Sequence, residues 1–344
     1  MKTEFFQFPE YGEPTQALTW TEGELPSPEP GQAIVKLTAI GMNRSELNYT
    51  RGKYVPAKSF PSALGQEAVG EIIALGEPLT DGPQPNKATP LTVGARVALL
   101  PGAVDMHGMG TYRTIGTYNQ SALAPVPDGF SDEEGAAYWM GILTMGGCLE
   151  RAGVTPENAA GKRILITAAT SSMGVVALKL AKAWGAETIA TSRSEQKAAE
   201  LEKLGIADHV IVCNDSDSLI AGVKAATDEK GFDVALDPVG AAFYPGLIAS
   251  AANGANIVSY EMLTGPNLTV SAPLLLVKDI TVRGYAIFRV FIQPGLLDKL
   301  VEQGIQYSAQ VRPIISKTFA LKEAPAALEE MDTANHIGKL ILKP

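Results

Sequence analysis

Three small residues spaced three positions apart, Ala168, Ser171 and Gly174, form the most chemically informative pattern of this chain. An apolar run precedes them, and apolar residues at helical spacing follow them. Such a strand–turn–helix lets the backbone approach a pyrophosphate, which the first N–H groups of the helix then face. The residues expected to bind it are Ala168, Thr170, Ser171, Ser172, Met173 and Gly174. Because only the third position is glycine, an ordinary crossover with a small-residue turn is the alternative.

The segment after the next β-rich run, 188–191, distinguishes two forms of a dinucleotide. A site for NAD usually carries an acidic residue here, hydrogen-bonded to the ribose hydroxyls. This chain has Ser192 and Arg193, with Lys197 one helical turn further on. Hydroxyls with two cations suit the 2′-phosphate of NADP, so the pattern favours NADP(H). A solvated helix N-terminus with Ser194 as its cap is the alternative interpretation.

Composition and charge narrow the classes of partner. The chain has 344 residues, enough for two domains, and its 46% hydrophobic and 19% charged residues are ordinary for a globular protein. A net charge of −9 argues against binding to nucleic acid and to an anionic membrane surface. The first residues lack the apolar stretch of a secretory signal, so we expect a cytoplasmic protein.

Two cysteines and three histidines limit disulfide and metal chemistry. Cys148 and Cys213 fall in different expected elements and show no disulfide pattern. Of these five residues only His209 and Cys213 lie close in sequence, whereas a structural zinc site needs about four clustered ligands. We therefore expect no metal, although one histidine with carboxylates would still allow a catalytic zinc.

The hydrophobic pattern changes near residue 125. Before it, a region rich in Gly and Pro has strands at 32–40, 69–75 and 96–100. After it, Ser131 and Glu134 have the spacing of a capping box that opens a helix running to about Arg151. Six strands then alternate with helices, near 163–168, 187–191, 209–212, 233–237, 255–259 and 280–284. This order predicts an α/β fold with a doubly wound parallel sheet.

The last part of the chain is expected to form a helix at 291–303, an extended stretch near Val311 and a helix at 324–331. A parallel-sheet domain does not need these elements. We therefore expect this part to return to the first domain.

Motifs spread over the chain resemble the medium-chain dehydrogenase/reductase superfamily, and within it the zinc-free quinone oxidoreductase and enoyl reductase branch. They are GMNRSE at 41–46, RGKY at 51–54, LGQEAVGEIIALG at 64–76, GTYNQSALAPVP at 116–127, ILITAATSSMG at 164–174, LDPVG at 236–240, VRGY at 282–285 and HIGKL at 336–340. The resemblance implies a β-rich GroES-like catalytic domain at 1–125 and a Rossmann NADP-binding domain at 126–288. It also implies that a C-terminal segment, 289–344, returns to the catalytic domain.

The resemblance also implies a reaction. Zinc-dependent members carry a GHE motif where this chain has Gln66 before Glu67. Without a metal to polarise an alcohol, hydride is expected to pass from NADPH to an electron-poor acceptor: an enone, an enoyl thioester or a quinone. Two alternatives stay open. One is a zinc-free alcohol or aldehyde reductase, and the other is a non-catalytic NADPH-binding protein, structural or RNA-associated, against which the acidic balance weighs.

Two residues are candidates for catalysis by this resemblance. Tyr54 lies in a loop that lines the cleft in the family, so its hydroxyl could donate to an enone carbonyl or protonate the enolate. Its alternative is an aromatic plug at the end of a loop. Asn43 could hold the nicotinamide ribose or the substrate carbonyl, or be present for its turn conformation.

Further cofactor contacts are implied at several places. Thr144 resembles a position whose side chain touches the cofactor, and residues at the carboxyl edge of the sheet are expected to cradle its ribose and carboxamide: Pro238, Val239, Gly240, Ser259 and Tyr260. Asn335 and Lys339 resemble tail positions that reach back to the cofactor, with a solvated lysine as the alternative for Lys339.

Two expectations concern pairing. Glu67 is expected to pair with Arg44 or Arg51 as a structural acid. Relatives commonly pair through an edge strand, so we expect a homodimer, for which the apolar stretch 270–277 is the candidate contact. A segment buried within one subunit is the alternative for this stretch.

Overall fold

The computed structural model describes residues 1–78 and 90–344, which form two compact units. The first unit contains residues 1–140, 293–305 and 313–344, and the second contains residues 141–292 and 306–312. The first unit therefore extends past the expected boundary at 125, and most of the C-terminal segment groups with it.

The described strands are β1 (Lys2–Gln7), β2 (Thr19–Glu24), β3 (Gln32–Gly41), β4 (Glu67–Leu75), β5 (Arg96–Leu99), β6 (Ile115–Asn119), β7 (Leu123–Pro125), β8 (Arg163–Ile166), β9 (Glu187–Ser192), β10 (His209–Val212), β11 (Phe232–Asp237), β12 (Ala251–Ser259), β13 (Thr281–Gly284), β14 (Ile315–Ala320) and β15 (Lys339–Lys343). The α-helices are α1 (Pro14–Ala17), α2 (Arg44–Thr50), α3 (Asp132–Ala136), α4 (Trp139–Gly141), α5 (Gly147–Arg151), α6 (Ser172–Ala183), α7 (Glu195–Leu204), α8 (Ser216–Ala226), α9 (Tyr244–Ser250), α10 (Ala272–Lys278), α11 (Arg289–Ile292), α12 (Leu296–Gln306) and α13 (Ala324–Asp332). A π-helical turn, Ile142–Gly146, joins α4 to α5, and two short 3₁₀ turns lie at Gln120–Ala122 and Leu321–Glu323.

The second unit contains the expected doubly wound sheet, so this prediction is confirmed. Its six strands are all parallel, in the order β10-β9-β8-β11-β12-β13. The central strand β8 is fully buried from Ile164 to Ile166, as an apolar run in a sheet covered on both faces requires. The strand order reverses between β8 and β11, and ligands of such folds bind beyond the carboxyl ends of the strands at this point.

The first unit contains a mostly antiparallel sheet in the order β14-β15-β3-β4-β5-β7, with β6 also paired to β3. The three expected strands are present as β3, β4 and β5. The last strand of the chain, β15, pairs antiparallel with the end of β3, where Ile341 lies opposite Gly41. This pairing brings the start of β15 close to the N-terminus of α2.

The helix expected from 131 to 151 begins as predicted but is not continuous. Ser131 and Glu134 form the capping box at the start of α3. The chain then passes through α4, the π-turn and α5. The Tyr285 hydroxyl donates to the carbonyl of Leu143 within the π-turn at 2.7 Å. A Cβ at Gly147 would lie 1.9 Å from that hydroxyl oxygen, so the glycine makes room for the tyrosine that satisfies the turn.

The prediction of one helix at 291–303 was wrong. The chain forms α11 and α12, which are separated at residues 293–295. Pro294 lacks the N–H that would continue the helix, and Gly295 adopts a positive φ of 74°. The helix at 324–331 is confirmed as α13.

Two further features were tested. Cys148 and Cys213 are both buried and free, which confirms the absence of a disulfide between them. Across residues 1–78 and 90–344, no helix combines the length and the apolar character needed to cross a membrane.

Candidate active site

The turn after β8 is fixed by the end of β9. Ala168 adopts a left-handed conformation with φ 48°, and its N–H donates to the Thr191 hydroxyl at 3.3 Å. The N–H of Ala169 donates to the Thr191 carbonyl at 3.0 Å. Thr170 follows and is half-buried. One residue of β9 therefore holds two successive N–H groups of the turn in place.

The start of α6 presents backbone donors. The Ser171 hydroxyl caps the helix by accepting from the N–H of Gly174 at 3.0 Å. The N–H groups of Ser172 and Met173 belong to the first turn of α6, where a helix offers them no acceptor. A Cβ at Gly174 would lie 2.5 Å from the Cα of Ala169, so only glycine allows this close packing of helix on turn. The arrangement suits an anion at the helix N-terminus.

Two cations lie near each other after β9. Arg193 is exposed and Lys197 is half-buried. Burial lowers the pKa of Lys197, and the charge of Arg193 lowers it further, whereas Glu200 raises it. Because the two cations repel each other, a bound anion would be stabilised between them.

The two serines beside these cations shape the backbone. The buried Ser192 hydroxyl donates to the Ser194 carbonyl at 3.0 Å and accepts from the Ser194 N–H at 3.2 Å. Ser194 caps α7 by accepting from the N–H of Lys197, which confirms the capping role considered from the sequence. The side chain of Ser192 therefore forms the turn, and Arg193 and Lys197 remain the charged groups.

Asp237 ties the two strands together at the point where the strand order reverses. Its carboxylate accepts from the Thr167 hydroxyl after β8, and from the N–H groups of Val239 at 3.3 Å and Gly240 at 2.9 Å. Burial raises the pKa of Asp237, while these hydrogen bonds act in the opposite direction. The carboxylate thus positions both turns that flank the crevice.

The backbone N–H groups at 238–240, a segment expected to contact the ribose and carboxamide of the cofactor, are bound within the protein. Its N–H donors already bind Asp237, and the Val239 carbonyl accepts from the N–H of Thr264 at 2.9 Å. The Pro238 carbonyl likewise accepts from the N–H of Leu263 at 2.9 Å. The backbone donors of this turn are therefore used within the protein, so a ligand would contact its carbonyl oxygens or its side chains.

The next turn of this edge contains an unpaired hydroxyl. The Tyr260 N–H donates to the Asp237 carbonyl at 3.1 Å. The Ser259 hydroxyl is paired with that of Tyr244 at 2.7 Å. The hydroxyl oxygen of Tyr260 is buried, and no hydrogen-bond partner for it exists within the described chain. A buried hydroxyl without a partner indicates a group that a ligand or water completes.

Thr144 lies in the middle of the π-turn and is 9% exposed. A π-turn inside a helix changes the direction of the side chains that follow it, and such turns occur often at functional sites. Tyr285 and Gly147 hold this turn in place, as described above. Neither the turn nor its support follows from the apolar periodicity of the segment.

The first unit encloses an ion pair. Lys339, at the start of β15, is in contact with the carboxylate of Glu67 at the start of β4, and their side chains are 1% and 2% exposed. The Lys339 ammonium also donates to Oδ1 of Asn43 at 2.7 Å. The other oxygen of Glu67 accepts from the N–H of Met140 at 3.0 Å. Lys339 is therefore an interior residue, and its interpretation as a solvated lysine was wrong.

The expected partners of Glu67 bind other acids. Arg44 pairs with Asp332 at 2.9 Å, and Arg51 pairs with Asp332 at 2.8 Å and with Glu13 at 2.6 Å. The prediction that Glu67 pairs with Arg44 or Arg51 was therefore wrong. Arg44 begins α2 and Arg51 directly follows it, and both side chains are partly exposed, whereas Glu67 lies in the interior, where β15 supplies the lysine.

Asn43 has a more limited role than expected. Its side-chain amide group donates to the Gly41 carbonyl at 3.4 Å and to the carboxylate of Glu46 at 3.2 Å, while its oxygen accepts from Lys339. Both amide protons are used within the protein. In this arrangement Asn43 has no amide proton left to donate to a substrate carbonyl.

Glu46 is the functional candidate that the sequence reasoning missed. It is fully buried, and burial raises its pKa to about 7. The spacing of Asn43 and Glu46 is that of a capping box, which α2 indeed has, so the local signal pointed to a helix start. Its third partner, Tyr112, lies 66 positions away, so no local pattern could have revealed the buried cluster.

The remaining candidates lie on loops. Tyr54 is half-buried and packs against the core of the first unit. Asn335 is exposed, and its N–H lies 3.4 Å from the hydroxyl oxygen of Thr333. Within residues 1–78 and 90–344, no group of three or more His, Cys, Asp or Glu side chains is arranged to hold a metal ion.

The second unit fits a dinucleotide by several independent features. The turn leaves no space for a Cβ at Gly174, the first N–H groups of α6 lack helix acceptors, and two cations follow β9. These features occur at the carboxyl ends of β8 and β9, beside the switch point.

Substitution of Gly174 tests this fit. We expect Gly174→Ala to push α6 away from the turn and weaken dinucleotide binding about tenfold or more, equivalent to about 1.4 kcal/mol. Cofactor fluorescence titration measures the dissociation constant. Gly284→Ala is the matched control, because a Cβ there meets open space. Unchanged affinity of Gly174→Ala would show that the dinucleotide does not use this turn.

Both halves of the chain match known families. Residues 29–162 match the alcohol dehydrogenase GroES-like domain, and residues 172–302 match the zinc-binding dehydrogenase family. A quinone oxidoreductase of Pseudomonas aeruginosa is 29% identical over 344 residues, covering 98% of each chain. An acryloyl-coenzyme A reductase of Metallosphaera sedula is 27% identical, covering 92% of this chain and 93% of the relative.

A solved structure agrees with these matches. The quinone oxidoreductase of Pseudomonas syringae pv. Tomato is 28% identical and superposes with a TM-score of 0.83, over 99% of this chain and 100% of that one. The chain is therefore an oxidoreductase with a nicotinamide cofactor, and it belongs to the medium-chain dehydrogenase/reductase superfamily, in its quinone oxidoreductase and enoyl reductase branch.

Proposed function

We propose that this protein is an NADPH-dependent reductase that transfers hydride to an α,β-unsaturated carbonyl or a quinone without zinc. The observation that carries the proposal is the pair of cations, Arg193 and Lys197, at the carboxyl end of β9, next to a phosphate-binding turn. Relatives named quinone oxidoreductase and acryloyl-coenzyme A reductase support the acceptor class.

Charge supports the choice of NADPH over NADH. The extra 2′-phosphate is an anion, and it would offset the repulsion that lowers the pKa of Lys197. Arg193 can bind such a group through two parallel N–H donors, which a single ammonium cannot do. An acidic residue at the end of β9 would repel the phosphate, and Ser192 stands there instead.

Conjugation supports chemistry without a metal. NADPH, when bound, supplies the hydride. As the β-carbon of an enone accepts it, negative charge develops on the carbonyl oxygen, where a hydrogen-bond donor is sufficient to stabilise it. We assign this role to the Tyr54 hydroxyl, which also delivers the proton to the enolate. Asn43 supports the site from within, because its amide protons are already used.

A side-by-side substrate screen tests the proposal. NADPH and NADH are each offered with enones, enoyl thioesters, quinones and unconjugated aldehydes, and loss of cofactor absorbance is followed. We expect turnover with NADPH and at least one conjugated acceptor. Turnover confined to unconjugated aldehydes would favour an alcohol or aldehyde reductase, and cofactor binding without any turnover would favour a non-catalytic protein. Measuring the metal content of the purified protein, and its turnover in the presence of a chelator, tests the claim that zinc is not needed.

Removing the cations tests cofactor choice. We expect Arg193→Ala and Lys197→Ala each to weaken NADPH binding about tenfold, because each loses one charge-assisted contact worth roughly 1.5 kcal/mol. Binding of NADH should stay within about twofold, since NADH has no 2′-phosphate. Isothermal titration measures both constants. Lys203→Ala, at the exposed end of the same helix, is the control. Equal losses for NADPH and NADH would contradict the assignment.

We also propose a homodimer formed through the edge of the second unit. β13 is an edge strand and leaves a row of backbone groups unpaired within the sheet. The expected apolar stretch forms α10, which leads into β13 and has no buried residue. Leu276 and Val277 are 83% and 81% exposed. A second copy of this chain would cover the apolar pair and extend the sheet.

Charges on α10 test the dimer. We expect Leu276→Asp with Val277→Asp to convert a dimer into a monomer at micromolar concentration, because the contact would then bury two carboxylates. Analytical ultracentrifugation measures the mass. Leu204→Asp is the control, since Leu204 is also an exposed leucine at a helix end in the second unit. A monomeric unmodified protein would remove the basis of this proposal.

A further inference from the structure

Glu46 is surrounded by donors. It lies in the first turn of α2 and is fully buried. One carboxylate oxygen accepts from the N–H of Asn43 and the Tyr112 hydroxyl, both at 2.8 Å. The other accepts from the N–H of Gln66 at 3.1 Å and the amide of Asn43 at 3.2 Å. The four contacts fill the acceptor sites of an ionised carboxylate.

Two physical effects oppose each other at this carboxylate. Burial removes it from water and raises its pKa to about 7, from the usual 4.5. The hydrogen bonds from Asn43 and Tyr112, and the charge of Lys339, favour the ionised form. A proton on Glu46 would face three N–H groups that can only donate, and the Tyr112 hydroxyl would have to turn from donor to acceptor. Protonation would therefore disturb the hydrogen bonds around it.

The ionised carboxylate decides how the Asn43 amide is turned. Its NH₂ group is held on Glu46 and Gly41, so its oxygen is turned to the Lys339 ammonium. The reverse orientation would place NH₂ against an ammonium and oxygen against a carboxylate. Each of those contacts is repulsive, so the two orientations are not interchangeable while Glu46 is charged.

We propose that Glu46 is a positioning residue: its ionised carboxylate orients the Asn43 amide toward Lys339, and the reductase is active only in that state. The proposal rests on the proposed function, because it concerns the same reaction. Glu46 touches neither substrate nor cofactor in this role. It acts through Asn43, whose oxygen it turns to the Lys339 ammonium.

The other charged groups near Glu46 are few. Lys339 on β15 lowers its pKa, and Glu67 on β4 shares that lysine. Tyr112 faces it from the segment before β6, and its own pKa is raised well above the usual value by burial and by Glu46. The helices α1 and α13 pack on the surface side of α2, where Arg44 and Arg51 pair with Asp332 and Glu13.

The pH profile of kcat/KM is the decisive measurement. We expect the unmodified enzyme to lose activity as pH falls through about 7, the value of the Glu46 pKa. Glu46→Gln cannot titrate, so its profile should be flat in this range and lower at pH 8. Tyr112→Phe removes one donor from the carboxylate. The acid limb of the profile, where activity is lost at low pH, should therefore shift to a pH about one unit higher.

Tyr118→Phe is the matched control for the tyrosine variant. Tyr118 is a buried tyrosine of the same unit whose hydroxyl donates to the Gly110 carbonyl at 3.1 Å. Its acid limb should stay where the unmodified enzyme has it. If Glu46→Gln does not fold, the two tyrosine variants alone decide the question. An acid limb that Tyr112→Phe leaves in place, or that Glu46→Gln retains, overturns the proposal.

A second readout separates this inference from the proposed function. The folded protein holds the Glu46 proton more tightly than the unfolded chain, whose glutamates titrate near 4.5. Unfolding stability should therefore fall as pH rises from about 5 to about 7, and Glu46→Gln should lack this decline. No turnover in the unmodified protein would count against the proposed function and this role together. A stability decline with active enzyme but no acid limb would overturn the positioning role alone.

Discussion

The first unit depends on an enclosed pair of opposite charges. Lys339 and Glu67 are 272 positions apart in the chain, and both side chains lie almost entirely out of solvent. A buried charge costs several kcal/mol unless a partner compensates it. Neither residue can therefore be buried without the other, and the pairing of β15 with β3 brings them together. The C-terminal strand is thus required by electrostatics as well as by the sheet.

The buried polar cluster of the first unit, formed by Asn43, Glu46, Glu67, Tyr112 and Lys339, is not needed for packing. Apolar residues of similar volume in place of a buried ion pair are often neutral or stabilising. Here the fully buried Glu46 adds a second carboxylate near the one ammonium of Lys339. Proteins retain such arrangements most often where they perform chemistry. The cluster is therefore a stronger indication of an active site than any single residue in it.

The sequence predicted the second unit better than the first for a physical reason. Parallel strands and crossover helices repeat with local periods, so all six strands and the helix caps at Ser131 and Ser194 were found. The turn at Gly174 is also local. The cluster of the first unit joins residues from five distant segments, and hydrophobic periodicity carries no information on such partners. Hence Glu67 was given the wrong partner, and Glu46 was named only as the last residue of the motif GMNRSE.

The hydrogen bonds of the Asn43 amide limit which group can stabilise negative charge on a substrate. From the sequence, Asn43 and Tyr54 were both candidates for contact with the substrate carbonyl, since an amide and a phenol can both donate. Once both amide protons of Asn43 are bound within the unit, it can only accept. An acceptor cannot stabilise a developing oxyanion, so we propose Tyr54 and not Asn43 for that task. Asn43 instead connects the Glu46 carboxylate to the Lys339 ammonium, and these two charges fix the orientation of its amide group.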